Sequence, residues 1–314
     1  MLRFLRLCAI ADYLIRRMII CQTQFCPNWK RAARMENAAM TSTSVAELIN
    51  ERIDAMPAGE RSAAQTLIAN YPMLGLKTVA EFSAQAGVSS PTILRFVNRL
   101  GFQNYPDFQA RLQDELAAQL QSPHHRNEHP EKGRDAAYPA VEHTLENIRE
   151  TFRHLGEKQL RQVVSALSNS KGNVYLIGGR FTDPIAQYMA AHMSIIRPHV
   201  FHLGGQESVW RDRLLDMGKR DVLVVFDIRR YQDSLLKLAE KARGRGVEVV
   251  LITDQWLSPI ARVARHVLAG RITVPSAWDS SAALFVLAET IIREMTRALE
   301  QDSAARIAEL EALR

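Results

Sequence analysis

Between residues 44 and 120, apolar residues recur three and four apart, the spacing that lays them along one side of an α-helix. Val45, Leu48, Ile49 and Ile53 make one such stripe. Ala63, Ala64, Leu67 and Ile68 make a second, closed by Asn70, Tyr71 and Pro72. Val79, Phe82 and Ala86 share the face of a third helix, which Gly87 breaks while Val88 plugs the corner. Ser89 is placed to cap a fourth helix, with Pro91 in its first turn, where a missing N–H costs nothing. There Ile93, Phe96, Val97 and Leu100 turn inward, and Ser90, Thr92, Arg95, Asn98 and Arg99 turn outward. A fifth helix opens at Tyr105 and Pro106 and carries Phe108, Leu112, Leu116 and Leu120. Two short helices meeting at a glycine corner, the second with a small, polar, basic outer face, describe a helix-turn-helix. The second helix of such a pair can enter a major groove. An ordinary helical hairpin with a solvated face shares the pattern.

After residue 138 the rhythm changes. Helices are expected over 141–155 and 158–167. Short apolar runs then follow at 173–178, 199–203, 221–227, 247–253 and 266–270, with amphipathic segments at 183–195, 231–243 and 257–264 between them. Continuous apolar strands alternating with helices imply a doubly wound, parallel, five-stranded sheet covered on both faces. The predicted fold class is therefore α/β with a separate all-α domain. A last helix over 280–299 is apolar on most sides (Ala283, Leu284, Val286, Leu287, Ile291, Ile292, Met295), and the surplus reads as a dimer seam. The expected division is a leader at 1–40, a helical domain at 41–121, a linker at 122–138, the sheet domain at 139–300 and a helical tail at 301–314. The linker is polar and rich in Pro and His, and His124, His125 and His129 read as solvated.

Composition fits a globular chain of 314 residues, with 47% hydrophobic and 24% charged residues. The net charge of +6 belongs to residues 1–35, where Arg3, Arg6, Arg16, Arg17, Lys30, Arg31 and Arg34 face only Asp12. The remainder is balanced, so DNA binding must rest on local charge. Cys8, Cys21 and Cys26 all lie in the leader too, which argues against a disulfide framework or cysteine metal site in the folded body. A cytoplasmic protein without metal or other cofactor is expected. Asp12, Arg16 and Arg17 interrupt the apolar leader, so it fits neither a signal peptide nor a membrane span. A basic amphipathic helix on a membrane surface is an alternative without support elsewhere in the chain, and the leader reads instead as an extension outside the fold, with the start at Met35 or Met40 and no membrane partner expected.

The segment SSPTILRFVNRLGFQNYPDFQ, followed by a linker and five βα units, resembles the RpiR family of bacterial transcription regulators, whose second domain is a SIS (sugar isomerase) domain. The resemblance covers roughly 44–300. It implies a dimer or tetramer that holds operator DNA and responds to a sugar phosphate. Within the recognition segment, Arg95 is the expected base reader with Ser90 and Thr92 beside it. Lys77, Ser89 and Arg99 are expected on phosphates. In related domains a glycine–serine loop after the first strand cradles phosphate. Here it reads Gly178-Gly179-Arg180-Phe181-Thr182, with Gly178 keeping the first glycine, Thr182 where the serine would stand, and Arg180 and Phe181 replacing small residues. Those glycines serve either a ligand or only a βα turn. The third strand ends in Asp227-Ile228-Arg229-Arg230 where the family carries hydroxyls, and two arginines there suit an anion. Asp227 and Ser280 complete the expected effector set. Gln206, Glu207, Trp278, Asp279 and Ser281 are further rim candidates, with Ser280 or Ser281 also able to cap the last helix.

Three functions compete. The first is a DNA-binding regulator that senses a small anionic metabolite, a phosphosugar or sugar acid. The second is a SIS-type sugar-phosphate isomerase or lyase with a helical appendage. Its base would be Glu207 or Glu289, yet no catalytic acid–base pair is evident. In the third, the second domain is a dimerisation scaffold alone. Expected partners are double-stranded operator DNA, the metabolite and further copies of the chain, as homodimer or homotetramer.

Overall fold

A computed structural model describes residues 43–120, 139–169 and 171–313. The leader with its cysteines and the 122–138 linker lie outside the described residues. Residues 45–314 make one compact unit. Its first part is five helices: α1 (Val45–Arg52, continued by a 3-10 turn at Ile53–Ala55), α2 (Ala58–Ala69), α3 (Val79–Ala86), α4 (Ser90–Arg99) and α5 (Tyr105–Leu120). The expected stripes meet in one core, with Ile49, Leu67, Phe82, Ile93, Phe96, Val97, Phe108 and Leu112 all fully buried. Phe82 and Phe96 join α3 to α4 edge to face at 6.2 Å. Leu120, the last residue of its expected stripe, is exposed.

The α3–α4 corner follows from local chemistry. The Thr78 hydroxyl accepts from the Glu81 N–H while the Glu81 carboxylate accepts from the Thr78 N–H, so two N–H groups at the start of α3 are satisfied reciprocally. Gly87 ends α3 at φ +66°, a left-handed conformation that costs glycine least. Ser89 does precede α4, but its hydroxyl bonds the Thr92 hydroxyl (2.9 Å) and makes no side-chain cap.

The second part begins with α6 (Pro139–His154) and α7 (Glu157–Asn169) and continues as β1 (Val174–Gly178), α8 (Asp183–Ile196), β2 (Val200–His202), α9 (Glu207–Leu214), β3 (Val222–Asp227), α10 (Asp233–Gly244), β4 (Glu248–Asp254) and β5 (His266–Gly270). Helices α11 (Ala282–Ala298) and α12 (Glu300–Ala312) close it. All strands are parallel, in the order β2-β1-β3-β4-β5, with Val174 level with Val200 on one side and Val222 on the other. Side chains alternate between two buried layers. Leu176, Val224, Phe226, Val250 and Ile252 meet α7, α8 and α11 on one face. Tyr175, Ile177, Leu223, Val225, Val249 and Leu251 meet α10 on the other.

One expectation needs correction. The segment 257–264 is only a 3-10 turn at Pro259–Arg262, and α9 was not anticipated. Much of the apolar surplus of α11 is taken up within the chain, where Ala283, Leu284, Leu287, Ala288, Ile291 and Met295 are buried among α6, α7 and α8. Val286 and Ile292 of the expected seam are only half-buried.

The helices dock directly on the α/β part. Glu47 on α1 accepts from Arg271, just past β5, through Nε (2.7 Å) and Nη2 (3.1 Å), with both residues buried. Glu51 pairs with His154 at 2.6 Å and Asp54 with Lys158 at 3.1 Å. Ala46, flanked by Ile68 and Tyr71, joins the α10-side apolar layer.

Candidate functional site

Two sites emerge. On α4, the outward residues form the face foreseen from the sequence, with Arg95 exposed and Ser90 and Thr92 half-buried. The Arg95 guanidinium donates to the Thr92 hydroxyl (3.0 Å), which lays the two side chains together along the helix. Ser90 and Ser83 share a hydroxyl contact across the corner (3.2 Å). Lys77 is exposed just ahead of α3, its carbonyl held by the Tyr105 hydroxyl (2.9 Å). Arg99 departs from expectation. Its Nε pairs with Glu60, a buried carboxylate of α2, and that hydrogen bond raises the Arg99 pKa. Its guanidinium is thus first a brace between α4 and α2.

The second site is a crevice of about 580 Å³ at the carboxyl ends of β1 and β3. From these neighbouring strands the chain departs in opposite directions, to β2 and to β4, the switch point at which open α/β sheets leave a crevice for ligands. Arg180, Thr182, Asp227, Arg229 and Arg230 line it as expected. Phe181, Trp278, Asp279 and Ser281 line it too, as do Gly179 of the same loop and Gln232, a residue without an expected role. Gly178 and Ser280 are not in the lining. A Cβ on Gly178 would lie 2.3 Å from the Asp183 nitrogen, so this glycine serves the tight βα turn. The Ser280 hydroxyl accepts weakly from the Ala282 N–H (3.4 Å), near the start of α11.

Most of the polar groups in the crevice are already committed. The Thr182 hydroxyl donates to the Phe226 carbonyl (2.7 Å) and accepts from the Gly179 N–H (2.9 Å), which locks the loop instead of facing a ligand. The Gln232 side-chain oxygen accepts from the Arg180 N–H (2.9 Å). Asp227 is buried, with Oδ2 accepting from the Ser258 hydroxyl (2.5 Å) and Oδ1 from the Gln232 N–H (3.3 Å). Burial, aided by the Asp254 charge, pushes the Asp227 pKa up to about 7 against the pull of those bonds.

Arg229 differs most from its expected role. It is buried, forks onto the Asp279 carboxylate and stacks over Trp256 at 4.5 Å. Its backbone N–H donates to Asp254 (2.6 Å), and its Nη1 donates to the Ala118 carbonyl in α5 (2.8 Å). It is therefore no idle ligand clamp. Arg180 and Arg230 are exposed at the rim, and among the described residues neither has an ion-pair partner. Of the other nominated residues, Glu207 pairs with Arg211 (2.7 Å) and Glu289 accepts from Tyr188 (3.1 Å), and neither lines the crevice. Among the described residues no group of three His, Cys, Asp or Glu could hold a metal, and no helix is long and apolar enough to cross a membrane.

Residues 43–119 match the helix-turn-helix domain of the rpiR family, and residues 166–292 match the SIS domain. The chain belongs to the RpiR family. Among its relatives, the bifunctional protein glk of Burkholderia thailandensis is 25% identical over 230 residues, 71% of this chain but only 34% of that protein. The chain thus spans about a third of the length of the glk relatives. The transcriptional regulator HexR of Escherichia coli is 22% identical over 236 residues, 74% of this chain and 79% of HexR. The sugar isomerase domain of an RpiR transcription factor from Sphaerobacter thermophilus superposes with a TM-score of 0.54 at 18% identity, covering 57% of this chain and 99% of that one. The NanR protein of Vibrio vulnificus, complexed with ManNAc-6P, has a TM-score of 0.50 at 14% identity and covers 86% of this chain and 98% of its own. These likenesses establish the fold. This RpiR-family chain joins a helix-turn-helix domain to a SIS domain.

Proposed function

We propose that an anionic metabolite in the β1–β3 crevice sets the affinity of α4 for operator DNA, and that the chain is not an enzyme. The observation that carries this reading is the reach of Arg229. One guanidinium lines the crevice, pairs with Asp279 in its wall and donates to the Ala118 carbonyl of α5, the helix that follows the DNA-reading pair. An anion held on the neighbouring rim guanidiniums adds negative charge beside the Arg229–Asp279 pair, so occupancy biases the hold on α5. Arg180 and Arg230 supply the unpaired positive charge that attracts it. The phosphosugar or sugar acid expected from the family is retained for its charge. The NanR protein, similar in fold, is complexed with ManNAc-6P, and that supports an anionic ligand for this chain.

The isomerase reading has one feature in its favour, a crevice carboxyl near pH 7. Both Asp227 oxygens already serve the protein, however, and the residue is 1% exposed. Deuterium incorporation into aldose phosphates from heavy water would show turnover if Asp227 acted as a base, and none is expected.

The test is operator affinity by fluorescence anisotropy, on a duplex selected from random DNA, with and without 6-phosphogluconate. A coupling of ~1–3 kcal/mol changes affinity about 5- to 150-fold. Arg230→Ala should abolish that response. If this variant responds as the wild type does, the crevice is not the sensor. A single helix-turn-helix reads few base pairs, so the binding species is proposed to be a homodimer or homotetramer. Sedimentation of the chain as a monomer on operator DNA would contradict that.

A further inference from the structure

Two large rings stand at the mouth of the crevice, each more than half exposed. Phe181 is 56% and Trp278 62% exposed, and their centroids are 5.9 Å apart at an interplanar angle of 61°. Each comes from a different side of the crevice, Phe181 from the loop after β1 and Trp278 from the segment before α11. Together they form one apolar wall. The Arg180 guanidinium sits over the Phe181 ring at 5.3 Å, placing positive charge at the edge of that wall. Rings left open to water inside a concavity are covered when an apolar surface enters.

The rest of the lining offers little to a polyol. The Thr182 hydroxyl, both Asp227 oxygens, the Arg229 guanidinium and the Asp279 carboxylate are bonded to protein partners. What remains is the two rim guanidiniums, the Gln232 amide nitrogen and the Ser281 hydroxyl. A hexose phosphate would bury several hydroxyls against these few groups, and each unpaired hydroxyl weakens binding. An anion with a flat apolar body loses nothing there and gains the wall.

We infer that the crevice takes a small aromatic acid, its anionic group on the Arg180 and Arg230 guanidiniums and its ring against Phe181 and Trp278. The inference rests on the reading above that the crevice binds an anion, and it names the body that goes with the charge. Calorimetric titration of the full chain with phenyl phosphate, glucose 6-phosphate and inorganic phosphate separates the two. Phenyl phosphate should bind about tenfold tighter than glucose 6-phosphate. Trp278→Ala should erase that preference and Trp278→Phe should keep most of it, while inorganic phosphate binds all three proteins alike. Because Trp278 is mostly exposed, its replacement does not endanger folding, which thermal unfolding verifies. If glucose 6-phosphate binds tighter and Trp278→Ala changes nothing, the aromatic assignment falls and the anion reading stands. If none of the three probes binds, both fall.

Discussion

Asp227 shows how one side chain ties the crevice to pH. Its carboxyl ordinarily titrates near 3.8 and is raised to about 7 in the folded chain. The folded state therefore prefers the protonated form. The stability this gives is complete below the ordinary value and is lost as pH rises through about 7. Asp227→Asn keeps the shape without the titration. Between pH 4 and pH 8 the wild type should lose on the order of 3 kcal/mol relative to that variant, measured by denaturant unfolding. Asp254, raised to about 6 beside it, titrates in both proteins. Anion binding should also weaken from pH 6 to pH 8, since ionised Asp227 repels the ligand, and titration at both values checks this. At this scale the sequence was a partial guide. Arg180 and Arg230 stand where the strand ends placed them, but the partner of Arg229 is Asp279, 50 residues on, and no local pattern announces such a pair. Gly178 fails as a ligand group for a related reason, because its role is set by the atoms that pack on it.

Among the elements, α4 was the most legible, since its apolar stripe and polar face follow directly from helical periodicity. Arg95→Ala should cost ~1–3 kcal/mol in operator binding and relax specificity, read by anisotropy across single-base variants of the site. Arg99 calls for a different experiment. Removing it strands the buried Glu60 carboxylate, so Arg99→Ala should lower the thermal midpoint, and adding Glu60→Gln should restore part of the loss. The five strands were found because each is a continuous apolar run. Helix α9 was missed because ESVWRDRL buries only Leu214 and shows no stripe. In 257–264 the apolar residues are there, but only four residues form a turn, with Ser258 accepting from the Ile260 N–H at its start.

At the scale of the whole molecule, the pattern showed two kinds of structure but not how they join. No local pattern along the chain marks Glu47, Asp54 and Arg271 as partners across the two parts. Folding puts Glu47 and Arg271 out of water together, with the buried Glu150 carboxylate 3.8 Å from the same guanidinium. Glu47→Gln leaves that guanidinium only the more distant carboxylate and should cost ~1–3 kcal/mol in denaturant unfolding. These same contacts make the covalent connection between the two halves dispensable once folding is done. A protease cut anywhere between residues 121 and 138 would yield two fragments held by the Glu47–Arg271 fork, the Glu51–His154 and Asp54–Lys158 pairs, and the Arg229 bond to Ala118. The nicked protein should elute from a sizing column as one species and separate only in denaturant.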